Sequence, residues 1–397
     1  MIAQSHKKTN IMSNPFYLQE LPVDAPFCNR GEELKELQSY AEAKANIVLF
    51  SPRRYGKTSL VRRVQKRLFD KGAITIFVDF FGVASVDEVA GRLAKAVFIV
   101  THQKEPYWKT ALRTIKSFRP VLKPDAEGGM SFSVEPSSVE KSGLDLLEET
   151  MASLGEFVSA ADTLVHVALD EFQEIVVLKE ALQIEGAMRT HMHQSQASYF
   201  FIGSRRRVLL GVFNERQRPF FRSAINYPLK SLPPEDLAQF IAGQFKENNK
   251  KCSERLAGLL ASLVEYHPYY AQKLSFFVYE LSDVVTEETI DRGAEKLLMS
   301  EKPVFEAVIQ GLSPHQRLLL QALAKDPTQK LLANAYIRKH RLGSVGGVQH
   351  SARKTEELDL IERNEESGYW RLVDPVFSVW MRRQTEEKVA NWGPISE

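Results

Sequence analysis

Two short stretches carry residues that could act on a phosphorylated ligand. The first, SPRRYGKTSL, sets Ser51, Pro52, Arg53, Arg54, Tyr55, Gly56, Lys57, Thr58 and Ser59 between an apolar run and an amphipathic one. A turn that feeds a helix leaves backbone N–H groups unpaired around one point, and those groups together with the helix dipole favour an anion there. Gly56 permits the close approach. Lys57 would reach the β- and γ-phosphates of ATP and Thr58 would place its hydroxyl on Mg2+, so the nine residues are read as a nucleotide-binding loop. Ser51 stands where the usual pattern has its first glycine. The second stretch, TLVHVALDEFQEI, ends an apolar run on Asp170 and Glu171. There Asp170 would hold the metal together with Thr58, and Glu171 would orient or deprotonate the water that attacks the γ-phosphate in line. A chance GKT triplet and an acid-capped strand end are the bland readings of the two stretches. Their joint occurrence in complementary contexts favours hydrolysis of ATP to ADP and phosphate, with Lys57, Asp170 and Glu171 in catalytic roles.

Such chemistry needs a scaffold that brings the two stretches to one edge. From Arg30, RGEELKELQSYAEAKA has helical spacing, and ANIVLF leads as a short buried strand into the loop. TSLVRRVQKRLF then places Leu60, Val61, Val64 and Leu68 on one helical face. AITIFVDF (73–80), TLVHVALD (163–170), SYFFIGS (198–204) and SAINYPL (223–229) are further runs of buried-strand length. Five strands separated by helical patterns predict a parallel sheet with crossover helices, an α/β class. The Gly-, Pro- and Ser-rich interval 120–142 reads as a surface excursion or hairpin insertion, with no function assigned. After Pro233 and Pro234 the pattern turns helical. From Ser313 three helices, at HQRLLLQALAK, LANAYIRKH and VQHSARKTEELDLI, precede IERNEESGYWRLVDP, which has the look of a two-stranded wing. The expected organisation is a flexible tail (1–14), an ATPase core (15–231), a helical lid (232–312) and a winged helix-turn-helix (313–397).

Composition narrows the classes. A 44% hydrophobic and 26% charged chain is globular rather than disordered. Cys28 and Cys252 form no framework of disulfides and no CxxC motif, and no apolar run reaches the ~18 residues of a membrane span, so a cytoplasmic location without a membrane partner is expected. A net charge of +2 provides no global attraction to nucleic acid. The His191 and His193 pair has no Cys or acidic cluster beside it and is read as non-metal.

At the level of whole motifs the chain resembles the AAA+/STAND supergroup, specifically the archaeal-type and bacterial ATPases related to origin-recognition initiators. The resemblance rests on NPF, FCNRGEEL, SPRRYGKTSL, LDEFQE, FFIGSRRRVL with PFFRSA, and YWRLVDPVFSVWMRR, and spans about residues 14–385. It implies a P-loop, AAA+-like five-stranded parallel sheet followed by an all-α lid and a winged helix-turn-helix. It places Arg30 near the adenine and ribose, a γ-phosphate sensor on Ser204 or Arg205, and an arginine finger acting on a neighbouring subunit at Arg222. In EYHPYYAQKL it places His267 and Pro268 near the base and Gln272 or Lys273 near the phosphates. The usual arginine of that last segment is absent.

Together these readings point to an ATP-driven switch that forms homo-oligomers and engages a protein partner or double-stranded DNA through the winged helix. Arg353, Lys354 and His350 on the candidate recognition helix favour DNA, whereas Glu356, Glu357 and Asp359 close by favour protein docking. The alternative is a DNA-binding regulator that keeps ATP as a structural ligand with little turnover.

Overall fold

The computed structural model describes residues 14–103, 117–124, 130–137, 141–364 and 367–385, arranged as two compact units. One comprises 22–25 and 30–230. The other comprises 231–385 together with the described residues up to Leu21 and Pro26–Asn29.

The first unit is built on five strands, β1 (Ile47–Phe50), β2 (Ile74–Asp79), β5 (Val165–Asp170), β6 (Ser198–Gly203) and β7 (Ile225–Pro228), in the order β2-β5-β6-β1-β7. Every pair is parallel. The five-stranded α/β expectation therefore holds. Side chains alternate across the sheet. Val48 and Phe50 join a core with Val89 and Leu93 from helix Val86–Gln103 and Leu147, Met151 and Leu154 from helix Gly143–Ala160. The helices α1 (Gly31–Glu42) and α2 (Lys57–Asp70) bury Leu34, Leu37, Leu60, Val61, Val64 and Leu68, which is the face read from TSLVRRVQKRLF. SAINYPL departs from its buried-strand expectation. Its strand β7 lies at the sheet edge, where Ile225 is 46% exposed, because pairing with β1 on one side needs no cover on the other.

Within the interval 120–142 the described residues form a hairpin, β3 (Phe118–Pro124) against β4 (Met130–Pro136), antiparallel and in register from Phe118↔Pro136 to Pro124↔Met130. Residues 125–129 and 138–140, and the tail 1–13, lie outside the described residues.

The second unit holds helices Pro234–Glu247, Glu254–Leu263, Pro268–Leu281 and Glu287–Gln310, then Pro314–Lys325, Asn334–Lys339 and Val345–Glu357, the two-stranded wing β8 (Ile361–Arg363) and β9 (Trp370–Leu372), and a closing helix Pro375–Thr385. Three helices and a wing appear where the pattern placed them. The closing helix adds an element: Phe377 and Trp380 pack on Phe305 of helix Glu287–Gln310, at ring distances of 5.0 and 5.8 Å. One hydrophobic core runs through the whole unit, from Phe16 to Met381.

Candidate active site

In a parallel sheet all carboxyl ends emerge on one edge, and the register decides which loops become neighbours there. Phe50 of β1 pairs with Gly203 of β6, so Ser51 and Ser204 leave the sheet side by side. Asp79 of β2 pairs with Asp170 of β5, and Leu169 pairs with Phe201, which puts Asp170 next in the row. The loop after β1 thus opens where its strand has neighbours on both sides that lie far away in sequence, the crevice in which doubly wound sheets bind ligands.

Arg54 and Gly56 adopt left-handed backbone, at φ of 62° and 84°, and the loop turns sharply into α2. Gly56 caps the helix without a side-chain bond, and Ser51 keeps negative φ, so the serine in the first position needs no glycine. The first-turn N–H groups of Lys57, Thr58 and Ser59 have no intrahelical acceptor and face the edge as anion donors. The Lys57 ammonium is buried, donating to Ser51 O and Pro52 O at 3.0 Å each and to Ser51 Oγ at 3.4 Å.

Across the edge Thr58 Oγ1 donates to Asp170 Oδ2 at 2.7 Å. Burial pushes the Asp170 carboxyl up to about 6, while the Thr58 hydrogen bond opposes the rise. An alcohol oxygen beside a buried carboxylate forms a hard-oxygen pair of the kind that suits Mg2+.

Glu171 follows with φ 49°, ψ 39°, a left-handed conformation that costs a non-glycine residue ~1–3 kcal/mol and recurs at functional sites. Its N–H donates to Asp170 Oδ1 at 2.9 Å, and its peptide oxygen starts the 3-10 turn Phe172–Val177 by accepting from Glu174 N–H. Its carboxylate oxygen Oε2 accepts from Gln173 Nε2 and lies 3.5 Å from Ser204 Oγ. Gln173 has no role in the motifs set out above. A polar residue two positions after the acid, inside an otherwise apolar turn, was the available signal.

Of the two sensor candidates, Ser204 therefore meets Glu171, whereas Arg205 turns to Glu174 at 3.7 Å. Arg30 is buried, and its guanidinium donates to Glu33 Oε1 and Lys230 O at 2.6 Å each, tying the start of α1 to the chain leaving β7. Those bonds give it a structural task on the same unit. Arg222 precedes β7 and lies at the amino-terminal edge, opposite Lys57 and Glu171, with φ 55° and its N–H on Phe213 O. It is not brought together with this chain's own phosphate loop. Pro268 opens its helix in the second unit, and Lys273 there is paired with the buried Glu301 at 2.6 Å.

Residues 27–254 match the sequence profile of a family described as ATPase domain predominantly from Archaea, and residues 303–383 match a probable winged helix domain. No curated protein matches the sequence. Among solved structures, a Walker-type ATPase of Pyrococcus abyssi is similar at 16% identity, with 93% of this chain and 99% of that one covered and a TM-score of 0.68. The ORC2 protein of Aeropyrum pernix, in ADPNP–ADP complexes, is similar at 13% identity over 94% and 98% of the two chains, with a TM-score of 0.58. The ORC1 protein of Aeropyrum pernix, in complex with DNA, is similar at 14% identity over 93% and 94%, with a TM-score of 0.50. At these identities the likeness is one of fold. No helix among the described residues is long and apolar enough to cross a membrane.

Proposed function

The chain belongs to the family of ATPase domains found predominantly in Archaea and carries a winged helix domain behind that ATPase domain, and from this premise we propose that it binds ATP with Mg2+ on the Ser51–Ser59 loop, hydrolyses it, and uses the nucleotide state as a switch. The carrying observation is the 2.7 Å hydrogen bond between Thr58 and Asp170, which joins the two halves of the motif at the sheet edge. In this reading the loop N–H groups and Lys57 hold the β- and γ-phosphates, and Thr58 and Asp170 hold Mg2+. Bound there, Mg2+ would supply positive charge against the phosphates. Glu171 takes the proton of the attacking water, and Ser204 faces the same water. Arg222, at the far edge, acts on a neighbouring copy in a homo-oligomer. The switch works in the cytoplasm, and its output is engagement of a protein partner or DNA through the winged helix.

Two substitutions test the site. Lys57→Ala removes the cation that faces the triphosphate and no apolar core side chain, so a folded variant without ATP affinity is expected. Glu171→Gln keeps ATP and Mg2+ binding but slows turnover by ~100-fold or more, the scale of a lost general base. Wild-type turnover in Glu171→Gln would sink the hydrolytic reading.

One observation favours DNA as the ligand of the winged helix. Helix Val345–Glu357 leaves His350, Arg353 and Lys354 exposed on its solvent side, with Gly346 and Gly347 at its N-terminal end where no side chain stands in the way of a backbone phosphate.

A further inference from the structure

Gln173 is fully buried, yet its side-chain oxygen Oε1 has no hydrogen-bond partner among the described residues. Its amide nitrogen donates to Glu171 Oε2. The reverse orientation of the amide would set its oxygen against a carboxylate, so the donor assignment follows from the network. The amide lies against Gly203, where a Cβ would overlap it, and Gly203 is the residue before Ser204. The 3-10 turn Phe172–Val177 folds Gln173 back beneath Glu171, so two consecutive loops of the sheet edge meet on one side chain.

A buried oxygen left without a partner destabilises the fold. A methionine would fill the same volume without one, so packing alone is a poor reason for glutamine here. What the amide does supply is a fixed donor. It and the Ser204 hydroxyl converge on the same oxygen, Oε2, and leave Oε1 of Glu171 to receive a proton from water. We infer that Gln173 is the positioning residue of the hydrolytic carboxylate: wedged against Gly203, it holds Glu171 in the one orientation that presents Oε1 to the attacking water.

The inference rests on the hydrolytic role of Glu171, and the experiment separates the two. ATP turnover, ATP affinity and thermal melting are measured for Gln173→Met, Glu171→Gln and the double variant. Gln173→Met is expected to lower kcat by ~10- to 100-fold, the effect of displacing a catalytic group by about an ångström, with KM for ATP and the melting temperature unchanged or improved. In the Glu171→Gln background it should cost nothing further, because a residue that acts through Glu171 has nothing left to orient. Gly203→Ala expels the amide from the opposite side and should give the same kcat loss, which keeps the test open if the methionine variant does not fold. Full kcat in Gln173→Met overturns the inference, and so does a further loss in the Glu171→Gln background or a raised KM with lowered melting, the mark of a structural role. If Glu171→Gln itself turns over normally, the hydrolytic reading fails first.

Discussion

Away from the nucleotide loop, Glu185 is a carboxyl whose burial has a consequence for stability. It is fully buried on helix Ala181–Gln194 and pairs with Arg218, which is mostly buried on the loop leading to Arg222. Burial pushes its carboxyl up from the ordinary 4.5 to about 7, Arg218 opposes the rise, and Glu215 adds to it. The folded state therefore holds this proton more tightly than the unfolded chain does. Its contribution is most favourable below about pH 4.5 and falls as pH rises to about 7, where it levels off. Glu185→Gln should flatten the dependence of stability on pH between about 4.5 and about 7, as read by urea unfolding; parallel curves for variant and wild type would count against the assignment. None of this was legible in the sequence, since QIEGAM reads as an ordinary helix and the partner lies 33 residues on. That Lys57, Thr58, Asp170 and Glu171 meet at one sheet edge, by contrast, was legible because each follows an apolar strand at a turn. The contacts of Arg30 and Gln173 were not legible, for they depend on which backbone oxygen or neighbouring glycine the fold brings up to them.

At the scale of elements, periodicity identified all five strands and the wing, because each strand is short, apolar and bounded by turns. Order within the sheet was not accessible from it. Nor was the edge position of β7, which depends on pairing partners rather than on its own residues. Helix Val345–Glu357 of the winged helix shows the same division. Its basic residues could be read, but not that Arg353 and Lys354 both lean on Glu357, at 3.8 and 3.0 Å. Such exposed pairs are worth only a few tenths of a kcal/mol and yield readily to a phosphate. Replacing Arg353 and Lys354 with Ala should therefore weaken duplex binding and flatten its log–log salt dependence by up to ~2 units. A wild-type protein that binds no duplex at low salt would leave the wing to a protein partner.

For the molecule as a whole, the helices before Ser313 and the winged helix after it share one core and several polar ties. Tyr270 donates to the half-buried Asp374, Arg371 pairs with Glu265 at 3.1 Å, and Arg383 pairs with Glu295 at 2.8 Å. Phe377→Ala should cost ~3–5 kcal/mol and raise amide exchange in Glu287–Gln310 together with Pro375–Thr385. Exchange confined to the winged helix would show that the two parts open separately. The chain enters this unit twice: Phe16 sits in its core, 5.3 Å from the ring of Phe245 and 6.2 Å from that of Tyr279, although the whole sheet unit is encoded in between. During synthesis Phe16 is made before the sheet unit, and its pocket is completed only when Tyr279 follows. At ribosomal speeds that interval lasts on the order of ten to fifty seconds, during which the sheet unit can finish folding while the amino-terminal strap still waits in solvent.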